Sequence, residues 1–265
     1  MRFALQSDLY SYIVLVPFVS LYLVWIKRDQ LEPPGAPLPR FAAAALLAAG
    51  AGAAVWSGLL VAATGRTFTQ DAMALAMYAQ ALLIAALGCL FLGRETLRVM
   101  AFPLGFLLFL APFPVRVEQG LEALLQNASS MVAYGIFRLA GTPVFNEGNY
   151  FRLPGFSLEV APECSGIHST IALFLTSLVA GQVLLRTPWK RSVLALTVLP
   201  IALLRNGVRV FVIGELCVHL GPEMIDSYIH RHGGPVFFAL SLVPFSAILF
   251  FLLRSDRRAG PATPS

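Results

Sequence analysis

Seven predominantly apolar stretches, each close to the length of a bilayer crossing, dictate what this chain can become. They run over about 9–26, 41–63, 72–92, 98–114, 166–185, 193–213 and 235–253, and a helix needs about 20 apolar residues to cross the hydrocarbon. In that medium the backbone must satisfy its own hydrogen bonds, which a helix does within one segment. The chain is 57% hydrophobic and 12% charged, whereas soluble domains carry about 25% charged residues. The expected fold is therefore an all-α polytopic membrane protein with about seven transmembrane helices. It forms a single membrane-embedded domain over residues 1–258, followed by a disordered tail over 259–265. Pro103, Pro112 and Pro114 fall in the fourth stretch, where a bundle can tolerate them if neighbours resupply the lost hydrogen bonds. Lys27-Arg28 follows the first stretch without a small-residue cleavage site, so that stretch reads as a retained span.

The basic residues give the orientation. Eleven of the 19 lie on the side that holds loops 27–40, 93–97 and 186–192 and the C-terminus: Lys27, Arg28, Arg40, Arg94, Arg98, Arg186, Lys190, Arg191, Arg254, Arg257 and Arg258. Six lie opposite (Arg2, Arg66, Arg116, Arg138, Arg152, Arg231), and Arg205 and Arg209 fall within a span. Positive charge favours the cytoplasmic side. The expectation is a multi-pass protein of the cytoplasmic (inner) membrane, N-terminus outside and C-terminus in the cytoplasm. The net charge of +5 is accounted for by orientation and implies no nucleic-acid partner. The long loop 115–165 is then extracytoplasmic. Leu121, Leu124, Leu125, Ala128, Val132, Ile136 and Leu139 have the spacing of an amphipathic helix lying on the outer leaflet. Val144-Phe145, Tyr150–Leu153 and Phe156–Val160, separated by Asn146-Glu147-Gly148-Asn149 and Pro154-Gly155, predict a small β-element. That element delivers the chain to Cys164.

With alternating helices, three reactive side chains reach one face of the membrane. Cys164 lies in Ala161-Pro162-Glu163-Cys164-Ser165-Gly166-Ile167 before the fifth span. Arg209 lies in Arg205-Asn206-Gly207-Val208-Arg209-Val210 near the end of the sixth. His230 lies in His230-Arg231-His232-Gly233-Gly234 before the seventh. A thiol, a guanidinium and an imidazole suffice for cysteine-based acyl transfer. The helix opening at Ser165-Gly166 would favour a thiolate through its dipole and supply N–H groups for an oxyanion. Glu159 and Glu163 oppose a thiolate unless they orient a base. Arg205 and Arg209, spaced i, i+4, share a face. Arginine within a span is costly and points to function, although Arg209 is near enough to the span end to snorkel. Arg205 lies a turn deeper and calls for a polar network, as does Asn206. Cys89 reads as an apolar packing residue. Cys217, just outside the sixth span, offers a disulfide to Cys164 as an alternative. His168 and His232 compete with His230 for the base. His230, Gly234 and Phe238 would form a stripe if the last helix has begun by residue 230. Zinc held by Cys164, His168, His230 and His232 is conceivable from ligand type, but no close CxxC or HxxxH pair supports it. No cofactor is expected.

The segments Val160-Ala161-Pro162-Glu163-Cys164-Ser165-Gly166 and Asn206-Gly207-Val208-Arg209-Val210, with His230, Gly234 and Phe238, resemble the exosortase/archaeosortase family of membrane-embedded cysteine transpeptidases. The resemblance extends over about residues 70–255. It implies Cys164 as nucleophile, Arg209 as the essential basic residue, and His230 as acid/base, with His232 open for that role. It also implies exported protein substrates bearing a C-terminal motif, an apolar span and a basic tail. These are cleaved through a thioester and passed to an acceptor that the sequence does not identify. Two rival readings remain: a transporter or anion-binding membrane protein built on Arg205 and Arg209, and a thiol-dependent acyltransferase using the same Cys and His.

Overall fold

The computed structural model describes residues 13–31, 40–65, 69–92, 94–161, 165–221, 223–224 and 233–258. The chain divides into two compact units, Met1–Gln119 and Gly120–Ser265. In the first, α1 (Val16–Ile26), α2 (Arg40–Thr64), α3 (Gln70–Phe91) and α4 (Arg94–Phe106) follow one another, and α4 runs on into the 3-10 turn Leu107–Leu110. The helices α2 and α3 lie closely together. A Cβ at Gly50 would stand 3.0 Å from Leu83 Cδ2, and Ser57 Oγ donates to the Ala72 carbonyl at 2.9 Å. Thr69 opens α3 by accepting the Ala72 N–H at 3.3 Å, as an N-cap threonine should. Ser20 Oγ ties α1 to α4 through the Pro103 carbonyl at 2.8 Å. Cys89 is buried in α3, in keeping with its expected packing role.

The expected fourth span ends early. Pro112 and Pro114 lack N–H groups and push the residues before them out of helical conformation. The chain bends sharply there, and α5 (Val115–Ala140) starts anew. Asp71 accepts the first N–H of α5, from Val115, at 2.8 Å. Gln70 Nε2 donates to the Phe113 carbonyl at 2.8 Å and to Glu118. Five helices among the described residues are long and apolar enough to cross a membrane: Phe41–Thr64, Gln70–Phe91, Ile167–Leu184, Pro188–Leu220 and Gly234–Arg258. A sixth is added if Arg94–Leu110 and Val115–Ala140 count as one bent span. Helix α1 is apolar but has only 11 residues, and residues 9–12 of the expected first span lie outside the described residues. The all-helical polytopic architecture stands, with seven as an approximate count.

In the second unit α5 leads to an antiparallel meander, β1 (Phe145–Glu147), β2 (Tyr150–Leu153) and β3 (Phe156–Glu159). Both turns were legible in the sequence. Gly148 takes φ +67° in the β1–β2 hairpin, and Gly155 takes φ +88° directly after Pro154, the positions at which such turns demand glycine. Phe151, Leu153, Leu158 and Val160 point inward onto Ala133 and Phe137 of α5. The buried face of α5 is Leu125, Ser129, Ser130, Ala133 and Phe137. This differs from the apolar stripe read from the sequence, of which Leu124 and Leu139 are exposed. The meander requires a docking surface, so α5 turns its Leu125-to-Phe137 edge inward. The remaining helices are α6 (Ile167–Leu184), α7 (Pro188–Leu220) and α8 (Gly234–Arg258). Helix α7 is 33 residues long, about 50 Å at 1.5 Å per residue, well beyond the span expected at 193–213. Cys217 therefore lies inside it, buried, with a free thiol, rather than beyond a span.

Candidate functional site

The site begins with the register between α6 and α7. Three residues connect them, and Gln182 accepts from Arg191 Nη1 at 2.5 Å beside the turn. Fourteen residues further along α7, and sixteen back along α6, the same antiparallel pairing sets Arg205 beside Gly166. Arg205 Nη2 donates to the Gly166 carbonyl at 3.2 Å and to Thr170 Oγ1 at 3.3 Å. That carbonyl also accepts the Thr170 N–H at 3.0 Å, the Thr170 hydroxyl at 2.7 Å and the Ser169 hydroxyl at 3.1 Å. Gly166 caps α6 with φ +75° and ψ 17°, a left-handed conformation that glycine adopts without penalty. A Cβ there would meet Arg205 Nη2 at 3.1 Å and Asn206 Oδ1 at 3.2 Å. Gly166 is thus required twice, for its backbone angle and for the space it leaves. Arg205 is 6% exposed and Asn206 2%. The polar network expected around Arg205 is present, built among the described residues from the Gly166 carbonyl and the Thr170 hydroxyl.

Upstream of Cys164 the chain is held just as firmly. The Val160 N–H donates to the Asn149 carbonyl at 2.9 Å, and Gln126 Nε2 donates to the Val160 carbonyl. Ser130 Oγ holds the Asn149 side chain at 2.9 Å, while the Val160 side chain is 2% exposed. Gln126 and Ser130 sit one turn apart on α5. Their part was not apparent from sequence, because polar residues on an amphipathic helix usually face water. Val160 packs in one cluster with Val210 of α7, so α7 contacts both flanks of the segment that contains Cys164. The close approach depends on Gly207 and Gly214. A Cβ at Gly207 would stand 2.5 Å from Val132 Cγ1 and 3.2 Å from the Ala133 nitrogen, and one at Gly214 would overlap the Phe137 ring.

Arg209 lies one turn past Arg205, about 6 Å along the axis, between the Gly166 contact and the buried cluster that holds Val160 and Val210. It is partly buried and eleven residues before the end of α7, so it does not sit at the helix terminus that the sequence suggested. His168 is exposed in the first turn of α6, while Gly166 and Thr170 face Arg205. Glu159 accepts from the Tyr150 hydroxyl at 2.8 Å. This hydrogen bond, together with the carboxylate charge, holds the Tyr150 phenol above its ordinary range. Glu163, Cys164, His230 and His232 lie outside the described residues. Helix α8 begins at Gly234, with Pro235 in its first turn, where proline is tolerated. The expected stripe is therefore confined to Gly234 and Phe238, and it does not choose between the two imidazoles. Phe238 does pack against the buried cluster that contains Leu173 of α6 and Leu194 and Ile201 of α7.

Five or six candidate membrane spans among the described residues, a small sheet, and a helix-capping glycine gripped by a buried arginine define a polytopic membrane protein with a candidate site at one end of its α6–α7 hairpin. A family model of the transmembrane exosortases (Exosortase_EpsH) matches residues 4–247, and the chain belongs to that family. The match reaches well before residue 70, where the resemblance read from motifs began. Family membership makes it, in general terms, a membrane protein-sorting transpeptidase. No curated protein and no solved structure matches the chain.

Proposed function

We propose that this protein cleaves C-terminal sorting signals of exported proteins through a thioester on Cys164. The observation that carries the reading is that both flanks of Cys164, Val160 and Gly166, are fixed against the helix that bears Arg209. The substrate's apolar span would lie in the bilayer, with its motif at the extracytoplasmic surface and its basic tail in the cytoplasm. The Cys164 thiolate attacks the scissile carbonyl, and the tetrahedral oxyanion is stabilised by the Arg209 guanidinium and N–H groups at the start of α6. His230, or His232 two residues on, gives a proton to the leaving amine as the C–N bond breaks. It then removes one from the incoming nucleophile, which takes the acyl group as the C–S bond breaks and returns the thiolate. Water in that role gives hydrolysis; an amine or a lipid headgroup gives transfer. The N-terminus lies outside and the C-terminus in the cytoplasm of the inner membrane, as the loop charges require.

The test is intact-mass analysis of the protein purified after co-expression with a sorting-signal substrate. An adduct of acyl mass on Cys164, absent in Cys164→Ala, is the expected result. Undiminished substrate processing by Cys164→Ala would overturn the mechanism, and it is the outcome an enzyme that does not use Cys164 would give.

A further inference from the structure

We infer that Arg205 is a positioning residue for the nucleophile, distinct in role from Arg209, and that the Gly166 carbonyl is the point through which it acts. The inference rests on the reading of Cys164 as nucleophile. A buried guanidinium deep in a membrane helix is expensive unless its donors are satisfied. Arg205 directs one nitrogen to two acceptors, both in the first turn of α6: the Gly166 carbonyl at 3.2 Å and Thr170 Oγ1 at 3.3 Å. Its other terminal nitrogen, Nη1, is buried and has no hydrogen-bond partner among the described residues. The contact therefore does not complete the guanidinium's own hydrogen bonding, as a purely structural anchor would.

The carbonyl it grips is well chosen. Holding that oxygen fixes the peptide plane between Gly166 and Ile167, and with it the axis on which α6 begins. The left-handed Gly166 (φ +75°) then sets the direction from which the preceding residues arrive. Covalent geometry keeps the Cα of Cys164 within about 7 Å of that of Gly166, at 3.3–3.6 Å per residue. A rotation of this turn therefore displaces the chain two residues upstream of it, Cys164 included.

The experiment compares Arg205→Gln and Thr170→Val with wild type in the intact membrane protein. Three readouts are taken: steady-state processing of a sorting-signal reporter, the pH dependence of Cys164 alkylation by iodoacetamide (followed by peptide mass), and the thermal midpoint in detergent. Each variant should lower kcat about 10–100-fold with KM little changed, the loss expected for a hydrogen bond to a charged group. Each should also move the alkylation profile of Cys164 to higher pH while most of the protein stays folded. Wild-type processing to within about twofold in both variants overturns the inference. So does a loss that disappears when rates are expressed per folded molecule, or one that leaves the alkylation profile unmoved. Failure of the parent reading looks different: Cys164→Ala would process substrate normally whatever Arg205 did.

Discussion

At the scale of single residues, the motif Arg205-Asn206-Gly207-Val208-Arg209 divides into separate tasks. Arg205 and Asn206 face Gly166, Gly207 faces α5, and Arg209 falls between two anchored stretches of chain. Gly207→Ala should destabilise the fold by about 1–3 kcal/mol, because a Cβ 2.5 Å from Val132 Cγ1 forces two helices apart where the core is already full. A lowered thermal midpoint in detergent, with Gly135→Ala as the control at an open position, checks this. Arg209→Lys should lose about 10²–10³ in processing rate, since an ammonium cannot reproduce the flat, two-pronged donor of a guanidinium beside a developing oxyanion. Near-normal rates for that variant would leave Arg209 as a membrane-surface anchor. The reactive residue types were legible from sequence because cysteine, arginine and histidine advertise their chemistry. Gly207, Gln126 and Ser130 were silent, because what they do is set by which surface arrives opposite them.

At the scale of elements, the far end of the α6–α7 hairpin is tied down by α8. Asp256 accepts the Arg186 N–H at 2.7 Å, the Thr187 hydroxyl, and Lys190 Nζ at 3.1 Å. Lys190 is 4% and Asp256 6% exposed. Asp256 collects three donors and Lys190 reaches two acceptors, Asp256 and Ser255 Oγ at 3.3 Å. Asp256→Ala should therefore lower the thermal midpoint more than Lys190→Ala. The double variant should lose less than the sum of the two single losses, because the second truncation no longer leaves a buried charge without its partner. A strictly additive double variant would show the two groups to be independent. Strand and helix positions inside these elements were readable as alternation and apolar runs. The limits of α7 were not: its last two turns, through Cys217 and His219, mix polar and apolar residues and look like a loop until the surfaces of α5 and the sheet are there to receive them.

At the scale of the whole molecule, the charge asymmetry of the loops makes a topology claim that can be checked directly. GFP fused after Ser265 should fluoresce, as it does only in the cytoplasm, and a membrane-impermeant maleimide added to spheroplasts should label Cys164 but neither Cys89 nor Cys217, both of which are buried. Labelling of Cys164 only after permeabilisation would invert the orientation. The architecture was readable this far because a bilayer imposes one length and one composition on everything that crosses it. The break at Pro112 and Pro114 shows where that rule meets local chemistry. The length of α7 has a mechanical corollary. With the turn at Gly166 seated near Arg205 and Val160, just past the sheet, in one cluster with Val210, the helix works as the beam of a caliper whose two jaws hold the ends of a five-residue gap. Lengthening the beam by one residue between the jaws would slide one jaw only 1.5 Å but swing it by 100°, so the gap is gauged far more by rotational phase than by distance.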